Sequence, residues 1–176
     1  MNVEERRSAT RVATLVAVPL AVLAGLVAFQ VLKPDFQDTG PVTMLAIQLD
    51  ERQTVVCRAL LAHLPGQVRD RQRRPVTAGP EQNAAFGDPA ITVACGGKKP
   101  AFAPTDVVYP LSGVCWIPDA SGTTWTTVDR EVPVVVTVPQ EYDSPGQWVA
   151  AFSAPVFKAI LSADVPSGCK PQSQSQ

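Results

Sequence analysis

A run of 21 residues without a charged side chain, Val12 to Leu32, constrains this chain more than any other feature of its sequence. As a helix that rises about 1.5 Å per residue, the run would be roughly 31 Å long, which is enough to cross the hydrocarbon core of a bilayer. It has no polar face, and its Pro19 and Gly25 are tolerated in membrane-spanning helices. We therefore predict one transmembrane helix, a signal-anchor over residues 12–32.

The charges that flank the run predict its orientation. Arg6, Arg7 and Arg11 precede it, whereas Lys33 follows it together with acidic residues. Because positive residues concentrate on the cytoplasmic side of membrane spans, we predict that residues 1–11 are cytoplasmic. A cleaved secretory signal is the alternative, although the apolar part of such a signal is usually about 7–15 residues long. Both interpretations place the rest of the chain outside the cytoplasm, in the cell envelope.

The exported part has the size and the cysteine content of one disulfide-supported domain. It contains 143 residues, with 11 Lys and Arg against 14 Asp and Glu, so that its formal charge of −3 gives no argument for nucleic-acid binding. Its cysteines are Cys57, Cys95, Cys115 and Cys169. An even number of cysteines in an exported domain favours disulfides, and three pairings are possible. Because the cysteines are widely spaced and the chain has one histidine, we predict neither a metal site nor a cofactor.

The order of helix and strand signals predicts an α+β fold. We expect a linker over residues 33–43, the domain over 44–165 and a flexible tail over 166–176. Asp50 and Gln53 match a capping box that opens a helix, and Pro65-Gly66 ends it; a start near Val42 is the alternative. A second helical region is predicted from Ser144 as the cap and Pro145 at the first position.

The predicted strands lie between the two helical regions. Runs rich in β-branched and aromatic residues occur at 91–95, 107–109, 114–117, 123–128 and 132–138. The last run has a valine at every second position, and its prolines suggest an edge strand or irregular ends. Pro155 is expected to kink or split the second helix. We predict a small antiparallel sheet that the two helical segments cover on one face.

A basic stretch follows the first helix and is the candidate binding feature. It contains Arg69, Arg71, Arg73 and Arg74. If the stretch faces the membrane, these arginines could contact anions such as lipid headgroups or wall polymers. The alternative is a solvated loop.

No catalytic residue is predicted. His63, the single histidine, lies two residues before a helix stop, and neither a Gly-x-Ser-x-Gly elbow nor a phosphate-binding loop occurs. The acidic residues that glycosidase chemistry would need mostly lie beside proline or glycine, where turns are expected.

Several segments, in their order along the chain, resemble an uncharacterised actinobacterial family, the domain-of-unknown-function family 3515 (DUF3515). The segments include Cys57-Arg-Ala-Leu-Leu, Arg73-Arg74-Pro75-Val76, Phe86-Gly87-Asp88-Pro89, Cys95-Gly96 and Gly113-Val114-Cys115-Trp116. The resemblance covers about residues 45–165 and implies an exported or membrane-anchored protein in which Cys57 pairs with Cys95. Cys115 departs from the family pattern, so Cys169 is its natural partner. The family name implies no activity.

Three functions are compatible with these observations. The first is a membrane-tethered, non-catalytic domain that binds or scaffolds in the cell envelope, with an envelope protein, a lipid headgroup or a wall polymer as partner. The second is an enzyme of envelope metabolism that combines Asp or Glu residues with an arginine of the basic stretch. The third is a carrier of small ligands or lipids, which requires an apolar cavity between helices and sheet.

Overall fold

The computed structural model describes residues 18–29, 38–103, 105–163 and 169. Residues 18–29 form helix α1, whose apolar side chains, including Leu20 and Phe29, are exposed. Within the described residues, no helix is both long enough and apolar enough to cross a membrane. The remaining parts of the predicted span, 12–17 and 30–32, lie outside the described residues, as do 33–37 of the predicted linker and all of the predicted tail except Cys169.

From Asp38 onward the described chain forms an α+β domain with two helices and eight strands. The helices are α2 (Glu51–His63) and α3 (Pro145–Ala159). The strands are β1 (Gln67–Val68), β2 (Arg71–Arg74), β3 (Asn83–Phe86), β4 (Ile91–Cys95), β5 (Tyr109–Leu111), β6 (Val114–Pro118), β7 (Thr124–Thr127) and β8 (Val134–Thr137).

The eight strands form one antiparallel sheet in the order β1-β2-β3-β4-β8-β7-β6-β5. The predicted α+β class and antiparallel sheet are confirmed, but the sheet is larger than predicted because the sequence showed no sign of β1, β2 and β3. Of the two interpretations of the prolines in the valine strand, an edge position or irregular ends, the edge position is wrong, because β8 lies between β4 and β7. The strand begins after Pro133 and ends before Pro139, so that no proline interrupts its hydrogen bonds.

Both helices pack on the same face of the sheet, as predicted. Phe86 pairs with Ile91 across β3 and β4, and paired residues share a face. On this face the Phe86 ring lies 5.5 Å from the Phe152 ring of α3, and the Trp116 indole donates a hydrogen bond of 3.0 Å to the Ser153 hydroxyl. The four side chains are almost completely buried. Burial of apolar surface between α3 and the sheet therefore holds the two layers together.

Two disulfides join all four cysteines. Cys57 of α2 is bonded to Cys95 at the end of β4, with 5.6 Å between their Cα atoms. Cys115 of β6 is bonded to Cys169, with a Cα separation of 6.0 Å. The first bridge fastens a helix to the centre of the sheet, and the second fastens the chain beyond α3 to β6. The first pairing is the one that the family resemblance implied, and the second is the one expected from the departure of Cys115 from the family pattern.

The helix ends match the sequence predictions in part. The Asp50 carboxylate caps α2 by accepting from the Gln53 amide nitrogen at 2.7 Å. The Gln53 side chain does not complete the capping box; it forms two hydrogen bonds with the backbone of Gly97 instead. At α3 the Ser144 side chain makes no capping hydrogen bond, although Pro145 opens the helix as predicted. The helix continues through Pro155 to Ala159, so the predicted split does not occur.

Residues 38–49 are extended and are held against the domain by hydrogen bonds. Val42 pairs with Val76, and the buried amide of Asn83 donates to the Leu45 carbonyl at 2.9 Å. The buried amide of Gln82 both donates to the Ile47 carbonyl, at 3.0 Å, and accepts from the Ile47 nitrogen, at 3.1 Å. Val42 of the predicted linker is thus fastened by a backbone bridge, and Leu45 and Ile47 are fastened by side chains that imitate a neighbouring strand.

Replacing Gln82 with glutamate should lower the free energy of unfolding by about 1–3 kcal/mol, because a carboxylate cannot donate to the Ile47 carbonyl and leaves a buried polar group unpaired. Urea unfolding of the full chain, followed by tryptophan fluorescence, measures the change. Gln48→Glu is the matched control, since Gln48 is exposed. Equal midpoints for the two variants would show that the Gln82 hydrogen bonds contribute nothing to stability.

Candidate binding surface

The basic stretch forms a two-stranded hairpin rather than a loop. Val68 of β1 pairs with Arg71 of β2, so that Arg69 and Asp70 are the two turn residues. Arg69 adopts a positive φ of 53°, a conformation that glycine and asparagine accept more readily than arginine. The turn projects the Arg69 side chain toward the beginning of α3.

Arg69 and Arg71 each lie over an aromatic ring. The Arg69 guanidinium is 4.5 Å from the centroid of the Trp148 ring, and the Arg71 guanidinium is 5.4 Å from that of Tyr142. The two rings contact each other, with centroids 4.9 Å apart. The four side chains form a continuous row, which we call the arginine–aromatic stack. Such stacking orients a guanidinium through cation–π attraction worth about 0.5–1 kcal/mol at exposed sites.

The other two arginines of the stretch have structural roles. Arg73 donates to the Leu61 carbonyl in the last turn of α2, and burial lowers its pKa. Arg74 is buried; it forms an ion pair of 2.7 Å with Asp38 and donates to the Gly40 and Gly87 carbonyls. Of the four arginines that the sequence singled out, Arg69 is therefore the one that is both exposed and stacked on an aromatic ring.

Tyr142 connects the stack to the turn between β3 and β4. Its hydroxyl donates to the Pro89 carbonyl at 2.7 Å. Burial raises the pKa of the phenol; Arg71 opposes the rise, and the carboxylates of Asp70, Asp88 and Glu141 add to it. The Tyr142 phenol is thus uncharged where it contacts Arg71, and groups of both charge signs lie near it.

The sequence did not single out the aromatic partners of the two arginines. Trp148 is one of the buried residues of α3. No periodic signal relates Trp148 to Arg69, because the contact joins residues 79 positions apart. Arg69 and Trp148 meet because α3 packs beside the β1–β2 hairpin.

Carboxylates do not assemble a buried site in the described part of the chain. Asp129 is the one buried carboxylate there; it pairs with Arg130 at 3.1 Å and accepts from the Cys115 amide. His63 is exposed and contacts the Ala59 carbonyl of its own helix. The condition that would favour the enzyme hypothesis, two buried carboxyls in one cleft, is not met among these residues.

An open cleft of about 470 Å³ lies at the start of α2. It is lined by Asp50, Glu51, Arg52 and Val55. Three of the four lining residues are charged, and the cleft lies at the helix end rather than between helix and sheet. It is therefore not the cavity between helices and sheet that the carrier hypothesis requires.

Asp38 is expected to loosen from the domain as the pH falls. The Gly40 amide, which donates to its carboxylate at 2.8 Å, and the neighbouring Arg74 hold the pKa of Asp38 below its usual 3.8. Because the folded state lowers the pKa, the stabilisation is present above the usual value and is lost as the pH falls through the lower one. The Gly40 amide resonance should report this titration by NMR.

Two substitutions check that assignment. Asp38→Asn should abolish the acid-dependent shift of the Gly40 resonance. Asp119→Asn should leave it unchanged, because the pKa of Asp119 is also lowered but by Thr124 and Ser121 in the turn between β6 and β7. A Gly40 midpoint at or above 3.8 would contradict the effect of Arg74 and the Gly40 hydrogen bond on Asp38.

Comparison with known proteins assigns the chain a family without an activity. Residues 16–165 match the family described as "Protein of unknown function (DUF3515)". No curated protein and no solved structure matches the chain.

Proposed function

The chain belongs to the DUF3515 family, whose function is unknown. From its own sequence and structure we propose that it is an exported, membrane-tethered domain that binds an anionic component of the cell envelope without catalysing a reaction. The N-terminus is cytoplasmic in this proposal, and residues from 33 onward lie outside. The partner is a lipid headgroup or a wall polymer, which share phosphate or carboxylate chemistry.

The observation that carries the proposal is the pairing of all four cysteines in two disulfides. Disulfides persist in oxidising compartments and are rare in the cytosol. The apolar run from Val12 to Leu32 supplies a route of export, and the arginines before it favour an outward C-terminal domain.

The arginine–aromatic stack supports binding as the role of the domain. A guanidinium presents a planar set of donors that matches phosphate and carboxylate oxygens, and stacking reduces the conformational freedom that binding would remove. Arg69 is stacked, exposed and further oriented by hydrogen bonds of 3.3 Å to the carbonyl and side chain of Gln147. We assign the main anion contact to Arg69 and a supporting one to Arg71.

Thiol labelling in spheroplasts tests the export of the domain. A membrane-impermeant maleimide should label no cysteine before reduction, and it should label the four cysteines after reduction and mild denaturation with the membrane left intact. Labelling that requires lysis of the cell would place the domain in the cytoplasm and overturn the proposal. The protein should also resist extraction by carbonate, as a protein with a membrane span does.

Crosslinking in the intact envelope tests the binding role. Wild-type chain and Arg69→Asn are captured in parallel, because asparagine accepts the positive φ of the turn while the guanidinium is removed. Arg58→Gln, on the exposed side of α2, is the matched control for loss of one positive charge. The proposal requires an anionic lipid or polymer that the wild type and Arg58→Gln capture and Arg69→Asn does not.

A further inference from the structure

The domain begins, at Asp38, at one particular end of the sheet. Asp38 lies at the end that carries the turn between β3 and β4, since its carboxylate pairs with Arg74 and its amide donates to Asp88. Gly87, in the same turn, lies against the Arg71 side chain. The chain therefore joins the domain at the end that carries the arginine–aromatic stack.

The opposite end of the sheet is where β4 ends. The extended segment runs from Asp38 toward that end, where Ile47 packs against Gly97. Leu45, two residues earlier, is exposed and is held there through its carbonyl by Asn83. Leu45 and Asp38 thus mark opposite ends of one docked segment.

The sequence limits how far the Asp38 end can lie from the apolar run. Five residues, 33–37, separate the run from Asp38, and a chain of that length spans at most about 18 Å when fully extended. A short connection of this kind gives the domain an effective concentration in the millimolar range relative to the membrane that holds the apolar run. Even a single weak contact between the domain and the membrane is then formed for much of the time.

The charges at this end favour a contact through Arg69 in particular. Arg74 is paired with Asp38 and lies near Asp88, and Arg71 is 3.3 Å from Asp70. Glu141 and Asp143 are exposed close to Tyr142 and oppose a broad attraction to negative surfaces. Arg69 instead donates to the neutral Gln147 and is free to share its remaining donors with an anion.

We infer that the anion bound by Arg69 is the phosphate of an anionic lipid headgroup, and that the end of the domain with the arginine–aromatic stack faces the membrane to which the chain is tethered. This inference rests on the proposed function and specifies its partner. A wall polymer and a soluble phosphate share the chemistry but not the short covalent connection.

Quenching of a fluorophore by lipid tests this orientation. The full chain is reconstituted in nanodiscs that contain a lipid with a nitroxide on its headgroup, and one cysteine is added at a time and labelled with the two disulfides intact. Gln140→Cys reports the end near Tyr142, and Leu45→Cys reports the opposite end; both positions are exposed. We expect stronger quenching at position 140 than at 45, and stronger quenching in phosphatidylglycerol than in phosphatidylcholine.

Removal of the Arg69 cation should show whether the quenching at position 140 reports binding to the lipid or only nearness to the membrane. Arg69→Asn should lower the equilibrium constant for lipid contact, obtained from the quenching at position 140, by roughly fivefold in phosphatidylglycerol, the effect expected for one basic residue near an anionic surface. Arg58→Gln should leave the quenching unchanged. An unfolding midpoint within error of the wild type for Arg69→Asn would confirm that folding is retained.

Three results would overturn the inference. The first is equal quenching at positions 45 and 140, and the second is quenching at position 140 that ignores Arg69→Asn. The third is an Arg69-dependent complex with added poly(glycerol phosphate) in phosphatidylcholine nanodiscs without any lipid contact in phosphatidylglycerol. A chain that fails to enter nanodiscs at all would refute the proposed membrane tether instead, so the two failures are distinguishable.

Discussion

Replacing Cys57 and Cys95 together with alanine should lower the free energy of unfolding by about 4 kcal/mol. The bridge closes a loop with a sequence separation of 38 residues, and the chain-entropy model assigns that value to a loop of this length. Both cysteines are almost completely buried, so the variant also loses packing between α2 and β4. Because single domains are stable by only roughly 5–15 kcal/mol, the loss is a large part of the total.

The second disulfide is the comparison for this prediction. Cys115→Ala with Cys169→Ala removes a bridge of sequence separation 54, for which the same model again predicts about 4 kcal/mol. Urea unfolding of the full chain in nanodiscs, followed by tryptophan fluorescence, measures both variants. If packing contributes, the first variant is the less stable of the two. A loss below about 1 kcal/mol in the first variant would refute the importance of the helix-to-sheet bridge.

Replacing Asp129 with asparagine should lower the free energy of unfolding by about 3–5 kcal/mol, the cost of breaking a buried ion pair. Asp129 and Arg130 are about 5% exposed or less in their side chains, and the Arg130 guanidinium also donates to the Ile160 and Gly113 carbonyls. Asparagine can still accept from the Cys115 amide. The variant therefore measures the cost, in unfolding free energy, of leaving the Arg130 guanidinium buried without a carboxylate partner.

An exposed ion pair between α2 and the same loop provides the control. Arg52 and Glu131 are 2.7 Å apart with side chains 59% and 25% exposed, so Glu131→Gln should cost no more than about 1 kcal/mol. The double variant Asp129→Asn with Arg130→Met should be less destabilised than Asp129→Asn alone, because neither charge remains buried. Similar unfolding midpoints for Asp129→Asn and Glu131→Gln would show that the buried pair has no special weight.

The sequence predicted those elements whose signals are local. Asp50 and Pro65-Gly66 bounded α2, and the alternating valines near 134 marked a strand, because capping and side-chain period depend on nearby residues. The strands β2 and β3 gave no such signal. Their residues, including Arg74 and Ala85, lack the β-branched pattern and become strands through pairing with neighbours in the sheet.

The candidate site shows the same division. Arg69, Arg71, Arg73 and Arg74 were recognisable as a basic stretch, but the sequence treated them alike. In the folded chain, Arg73 caps a helix end and Arg74 forms buried contacts, whereas Arg69 lies exposed over Trp148. These roles depend on which distant group each side chain meets.

The sequence by itself determined the apolar run, the α+β order of elements, the even set of cysteines and the family. These properties follow from composition and from short-range periodicity, which the chain carries before it folds. The tertiary structure decided the eight-strand sheet, the docking of residues 38–49 and the choice of Arg69 within its cluster. Each of these depends on contacts between residues far apart in the chain, such as Arg69 with Trp148 or Gln82 with Ile47, which form only when the helices and strands pack together.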